Sequence, residues 1–540
     1  MKKQMQFRRF GTMVGSSRNT VMTVETMKKW IDITSELGYN CLLLYMEDTY
    51  ELKENPYFGY MRARYSQAEL KEIDRYAGEK GMEVIPCIQT LGHLSSISRW
   101  PAYRQHMDTG DILLVGDEAV YQLIDQMFET MAECFSGKVV NIGMDEAHML
   151  GRGKYYDQHG DRNHIEIMME HILRVSEIGR KYGFTLTMWS DMFYKLATGG
   201  GYRDPGTQID DAVKAQIPDN VELVYWDYYS TDRTHYRDML LSSQKIRKDT
   251  WFAGGLWSWM GMTPHNGYSI DATKAAFEAC LDTGVQDVFL TLWGGECSKY
   301  ALLPSLYYAA ELAKGNTDEE SIKKGFAARF GISFDDFMLL DMPETPDGAR
   351  DKVISASKYL LYNDCFCGLA DSTLSGGENK QYEACAEILK KYSDHEEWGY
   401  LFTMEQALCE VLSVKAELGA NTRAVYQNRC EDKEALAELI RDYQELQEKL
   451  QSFHKAYRNL WYKENKTFGF EVHDVRLGGL MQRMKSCAER LQDLYDGKID
   501  SIEELETIQL DMSGNGNTFK KEHMKHMSWL QTVSTNMMLN

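Results

Sequence analysis

Asp145 and Glu146 stand side by side at the end of a short apolar run, VVNIGMDEAH from Val139 to His148. Two carboxylates at a strand end can do acid and base work on one substrate, provided both reach it. Side chains alternate between the two faces of a strand, so these neighbours share a site only if the chain turns there, which Gly143 just upstream would permit. Taken alone, the pair reads as the solvated start of a loop. The groups expected around it reverse that reading.

The elements that must hold the pair are legible as short β-rich runs, each followed by a helical pattern. Strands are expected near Phe10–Val14, Cys41–Tyr45, Val84–Ile88, Val139–Ile142, Thr185–Trp189, Val221–Trp226, Trp251–Ala253 and Val288–Trp293. Helical periodicity covers Val24–Leu37, Gln67–Lys80, Val120–Cys134, His164–Tyr182, Tyr236–Arg247 and Ala272–Thr283. Eight such alternations predict an α/β fold, a (β/α)8 TIM barrel occupying about residues 1–330. Gly38, Gly81, Gly183 and Gly284 fall between a helix and the next strand, where a left-handed cap is wanted. Between the fifth and sixth strands, Gly199, Gly200, Gly201 and Pro205 weaken the helix and suggest a loop.

Active sites of such barrels lie on the rim of strand C-termini. In order, the strands run into Ser16, Ser17 and Arg18; Glu47 and Asp48; Gln89 and His93; Asp145 and Glu146; Trp189 and Asp191; Trp226, Asp227 and Tyr228; Trp257 and Trp259; Trp293 and Glu296. Each tryptophan alone would read as core. Acids beside each of them describe a sugar pocket instead, in which aromatic faces stack on pyranose C–H groups and charged groups take the hydroxyls.

A chain of 540 residues with 43% apolar content supports more than one core. The net charge of −21 argues against nucleic acid or an anionic membrane as partner. No run of about 18 apolar residues and no signal-peptide core appears, so a soluble, unexported, cytoplasmic protein is expected. The 11 cysteines include no CxxC pair and read as reduced, buried small hydrophobes.

Three segments resemble family 20 glycoside hydrolases, the β-N-acetylhexosaminidases. SSRNTVMTVETMKKWIDITSELGYNCLLLYMED is similar to the family's first strand-helix-strand unit, with Arg18 in the place of its sugar-binding arginine and Asp48 in that of its strand-two aspartate. YSQAELKEIDRYAGEKGMEVIPCIQTLGH resembles the next unit, ending in the family's Gly-His as Gly92-His93. VVNIGMDEAH matches the catalytic Asp-Glu motif, with Met144 where many members have a second glycine. The GMDEA form resembles the bacterial exo-β-N-acetylglucosaminidase subgroup, which carries a helical C-terminal domain. The chain starts within a few residues of strand one, so the α/β domain that precedes the barrel in many members is not expected.

Most retaining glycosidases set an acid and a nucleophile on opposite faces of the sugar. Sequence neighbours rising from one strand end approach from one side. The resemblance implies substrate assistance, an exception to the two-carboxylate pattern, in which the 2-acetamido oxygen attacks C1 and forms an oxazolinium. It makes Glu146 the general acid and base, and Asp145 the group that orients the acetamido N–H and stabilises its positive charge. Tyr228, with Tyr268 as competitor, would bond the acetamido carbonyl. Trp189, Trp257 and Trp293 would wall the pocket, Arg18 and Glu296 would take outer hydroxyls, and His93 and Asp48 would tune Glu146. The implied reaction is release of terminal β-linked GlcNAc or GalNAc from a glycan, with no cofactor and no metal; a homodimer is left open.

Beyond about residue 335 the β signal gives way to amphipathic patterns at Tyr382–Lys391, Glu405–Leu418, Lys433–Lys449 and Leu480–Tyr495, predicting a helical domain over residues 331–540. Leu439, Tyr443, Leu446 and Leu450 make one apolar stripe. Phe468–Leu480 bunches Glu471, His473, Asp474 and Arg476 with two glycines and reads as a segment facing the rim or a second subunit. Two other classes compete. A metal-dependent amidohydrolase would want an HxH pair after strand one, where Ser16-Ser17-Arg18 stands; a non-catalytic sugar-binding barrel would tolerate loss of either acid, and both are present. A conventional double-displacement β-glycosidase is the remaining alternative.

Overall fold

The computed structural model describes residues 5–198, 201–346, 348, 353–428, 433–510 and 524. Gly199 and Gly200 of the expected loop therefore lie outside the described residues. Eight parallel strands close into a barrel in sequence order, β1 pairing with both β2 and β8. They are β1 Arg9–Gly15, β2 Cys41–Tyr45, β3 Glu83–Cys87, β4 Val139–Asn141, β5 Thr185–Trp189, β6 Val221–Trp226, β7 Thr250–Gly255 and β8 Asp287–Leu292. Nearly every strand residue is buried, as expected of a parallel sheet covered on both faces.

Local chemistry sets the boundaries. Thr23 caps the helix Val24–Leu37 by accepting from the Thr26 N–H, and Gly38 ends it at φ 101°. Ser66 and Glu69 form a reciprocal capping box at the start of Gln67–Glu79. Gly81, Gly183 and Gly284 all take the left-handed φ expected between a helix and the next strand. Between β5 and β6 the structure has two short helices, Asp191–Thr198 and Asp211–Gln216, where the sequence showed the weakest helical pattern.

The chain divides into two compact units. The first holds the barrel: 1–256, 269–295 and 305–322. The second holds residues 323–540 together with two segments that follow β7 and β8, Trp257–Tyr268 and Glu296–Pro304. Four helices, Glu378–Lys390, Gly399–Gln427, Lys433–Glu464 and Glu471–Tyr495, pack consecutively there. The stripe of Leu439, Tyr443, Leu446 and Leu450 is buried in that packing. The last helix runs straight through Gly478 and Gly479, so most of Phe468–Leu480 is helical. Among the described residues no helix is long and apolar enough to cross a membrane. Ten described cysteines are free and nine of them are buried; Cys430 lies outside the described residues.

Candidate active site

The turn foreseen at Gly143 is present and sharp. Gly143, Met144 and Glu146 take φ of 70°, 67° and 50°, so the chain coils as it leaves β4. A Cβ on residue 143 would sit 2.0 Å from Gln89 Oε1, which leaves glycine as the residue that fits. Three bonds hold the coil: the Gly143 N–H donates to Asn141 Oδ1 at 3.0 Å, the Met144 N–H to Gln89 Oε1 at 3.2 Å and the Glu146 N–H to Asp191 Oδ2 at 3.0 Å. Both carboxylates thereby reach one histidine. His93 Nε2 lies 3.2 Å from Asp145 Oδ2 and 3.6 Å from Glu146 Oε2. Their exposures differ: the Asp145 side chain is 13% exposed and that of Glu146 43%.

Asp145 belongs to a polar chain that crosses the rim. Gln89 Nε2 donates to Asp145 Oδ1 at 2.8 Å and to the Tyr45 hydroxyl at 2.9 Å, which donates to Glu47 Oε1 at 3.1 Å. Glu47 in turn accepts from Arg18 Nη1 at 3.0 Å. Glu47 is thus the partner of Arg18, while the adjacent Asp48 turns away to bond Arg62. Burial drives the Asp48 carboxyl up despite that guanidinium, and Glu47 raises Arg18 further above its ordinary value.

The electrostatics separate the groups. Burial pushes the Asp145 carboxyl upward, but the charge and hydrogen bond of His93 outweigh it and hold Asp145 below the usual carboxylate range. The same pairing, led by Asp145, raises His93 to about 9. Asp191, fully buried, is driven up by burial and by the charge of Asp145. Lys195 Nζ lies 3.3 Å from Asp191 Oδ2 and 4.0 Å from Glu146 Oε1. The sequence reading passed over Lys195 because nothing marks a lysine one turn into a short helix.

The pairing of His93 has a consequence for stability. Its folded pKa lies above the unfolded value near 6.5, so its contribution is complete below about pH 6.5 and is lost as pH rises through about 9. The gap in melting temperature between the protein and His93→Gln should therefore be widest near about pH 6 and close above about pH 9. A gap independent of pH would show that packing, not charge, is what His93 supplies.

Trp189, 1% exposed, and Trp293 bring their rings to 6.1 Å, and Tyr45 meets Trp293 edge-on at 4.7 Å. The Trp189 Nε1–H is buried without an acceptor among the described residues. Tyr228 stacks on Trp226 at 5.5 Å, and burial lifts its hydroxyl well above the ordinary phenol. Trp257 and Glu296 fall in the second unit. There Trp257 stacks on Trp259 at 4.2 Å and meets Tyr268 edge-on at 5.4 Å. Glu296 is bonded to Lys358 and, at 3.0 Å, to Arg476, which outweigh burial and hold its carboxyl low. Arg476, from the segment whose role was left open, is thus engaged within its own unit. Among the described residues no group of three or more His, Cys, Asp or Glu side chains is placed to hold a metal ion.

Strain marks the same place. Among the described residues six non-glycine positions have left-handed φ: Asn19, Glu47, Met61, His93, Met144 and Glu146. All but Met61 lie in or beside this network.

Residues 6–239 match the family described as glycosyl hydrolase family 20, catalytic domain, and residues 335–525 match the glycoside hydrolase 20C C-terminal domain. The chain belongs to glycoside hydrolase family 20. Within curated proteins it is similar to hexosaminidase D of Homo sapiens, 28% identical over 226 residues, 39% of this chain and 43% of that protein. It is similar also to hexosaminidase D of Bos taurus, 27% identical over 237 residues, 41% of this chain and 62% of that one. The matched stretch is thus under two thirds of either relative's length. A family 20 exo-β-N-acetylglucosaminidase from Vibrio harveyi, solved with N-acetylglucosamine, has a TM-score of 0.46 at 13% identity, covering 61% of this chain and 57% of that one.

Proposed function

We propose that this chain is a retaining exo-β-N-acetylhexosaminidase that removes terminal, non-reducing β-linked N-acetylhexosamine from glycans by substrate-assisted catalysis. The observation that carries the reading is the disposition of carboxylates around the Asp145–Glu146 turn. Glu47 is taken by Arg18 and Tyr45, Asp48 by Arg62, and Asp191 is buried beneath the Glu146 N–H. With these acids engaged, the substrate's own amide oxygen is taken as the nucleophile, as the family resemblance implies.

The roles follow from exposure and charge. Glu146, more exposed than Asp145, protonates the leaving oxygen and then takes a proton from water. Asp145, ionised against His93 and fixed by Gln89, accepts from the acetamido N–H and offsets the positive charge that develops on the oxazolinium. Tyr228 is the hydroxyl assigned to the acetamido carbonyl. Trp189 and Trp293 supply apolar walls, and the Trp189 Nε1–H, which has no acceptor among the described residues, is offered to the substrate. Arg18 presents a guanidinium to outer hydroxyls from its bond with Glu47.

Turnover of an aryl β-N-acetylglucosaminide tests the reading. Activity should be high, inhibited by thiazoline mimics of the oxazoline, and almost absent on the aryl β-glucoside, which lacks the amide. Comparable turnover of both would restore conventional double displacement; binding of the sugar without turnover would make the barrel a lectin. GlcNAc and GalNAc substrates, assayed side by side, decide which hexosamine is preferred.

Lys195 supplies a further expectation. Its ammonium lies 3.3 Å from Asp191 Oδ2 and offsets the burial that drives that carboxyl up, so in Lys195→Met Asp191 should hold its proton to higher pH. Ionised Asp191 accepts from the Glu146 N–H, so the acid limb of the kcat profile should move to higher pH, with kcat at the optimum reduced less than about tenfold. An unmoved limb would show that the charge of Lys195 does not govern Asp191.

A further inference from the structure

The loop after β2 folds into a turn, residues 55–62, whose tyrosines stand out from the surface: Tyr57 is 48% exposed and Tyr60 40%. Their rings meet at 5.8 Å, and each also meets Trp100, from the loop after β3, at 5.6 and 5.3 Å. Met61, 57% exposed, follows Tyr60 directly. A lone exposed aromatic needs no explanation, but three rings in mutual contact form an apolar patch that folding alone does not reward.

The patch is held rigidly and from the site's side. Arg62, which closes the turn, bonds both Asp48 and the carbonyl of Ser17, the neighbours of Glu47 and Arg18. Gly59 lies so close that a Cβ there would be 2.2 Å from the Asp48 carbonyl oxygen. Among the described residues Met61, at φ 58°, is the one strained non-glycine residue outside the acid network. Backbone strain of this kind persists where the surrounding structure enforces it, and here it fixes how the two tyrosines are presented. Arg99 sets its guanidinium 4.7 Å from the Trp100 ring centroid, adding a donor beside the rings.

We infer that Tyr57, Tyr60 and Trp100 form a binding platform for a sugar of the substrate other than the one released, so that the substrate is an oligosaccharide and not the glycoside of a small alcohol. The inference rests on the hydrolase reading above and deepens it. A pyranose offers apolar C–H faces bordered by hydroxyls, and clustered rings flanked by an arginine complement both. The platform shares its two loops with Glu47, Asp48 and His93, which places it on the barrel rim that carries the acids.

The test compares a β-linked N-acetylglucosamine tetrasaccharide with methyl β-N-acetylglucosaminide in the wild type, Trp100→Ala and the Tyr57→Ala/Tyr60→Ala double variant. The ratio of kcat/KM for tetrasaccharide over methyl glycoside should fall about tenfold in each variant, through KM, and Trp100→Phe should recover most of it. An unchanged ratio, whether both substrates suffer equally or neither does, overturns the inference. So does a shift from dimer to monomer on sedimentation of the double variant with the ratio unmoved, which would make the patch a subunit interface. If the wild type cleaves neither substrate, the hydrolase reading fails by itself. Calorimetric titration with the tetrasaccharide then decides the platform separately: binding weakened about tenfold by Trp100→Ala supports it, and no binding overturns it.

Discussion

Asp145→Asn should lower kcat/KM on a β-N-acetylglucosaminide by about 10²–10³, the loss expected when one preorganised electrostatic partner of a developing charge is removed. The change is nearly isosteric, and Asn can still accept from Gln89 through its carbonyl. What disappears is the negative charge that His93 holds in place 3.2 Å away. Affinity for a thiazoline mimic of the oxazoline should fall with kcat/KM, because the charge acts on the intermediate and not on C1. Undiminished thiazoline affinity in the slow variant would remove Asp145 from that role. A fluorosugar that traps enzyme nucleophiles should leave no adduct by intact mass; a glycosyl ester on any carboxylate would refute substrate assistance.

Glu146→Gln has the second large effect, and it should depend on the leaving group. Alkyl and sugar leaving groups need the proton that Glu146 supplies, so their hydrolysis should fall about 10³-fold, near the upper part of the range for general acid catalysis. An activated aryl glycoside, whose phenolate leaves unaided, should lose far less in the first step. Equal losses on the two classes would show that Glu146 binds or positions the sugar without transferring a proton.

The barrel was legible because its signals are local. Eight buried strands of high β propensity separated by amphipathic helices and capping glycines allow few other arrangements, and strand ends in a parallel barrel necessarily share a rim. The Asp145–Glu146 turn was legible for the same reason, since Gly143 announces it. What was not legible depends on backbone twist within single residues. Glu47 at φ 50° is the side chain that meets Arg18, a contact to which nothing in the sequence pointed, since the resemblance assigned a role to Asp48 and none to Glu47; one left-handed residue decides which of two adjacent acids faces the arginine. The sequence placed Gln89 at a strand end without revealing its bonds to Tyr45 and Asp145, which join residues far apart in the chain. The amphipathic pattern was read only from Leu480, whereas the helix begins at Glu471 and runs through Gly478 and Gly479, because a helix anchored by buried Leu477, Leu480 and Met484 tolerates the cost of two glycines, about 1 kcal/mol each.

The pairing of β1 with β8 also sets the smallest piece of this protein that can be expected to behave well in isolation. The catalytic-domain match ends at residue 239, after β6 and before β7. A fragment cut there would keep Asp145, Glu146 and Tyr228 yet leave β1 and β6 as bare edges, each a row of unpaired amides able to recruit another chain. Such a fragment should aggregate on expression, and one carried past β8 should not do so through its sheet.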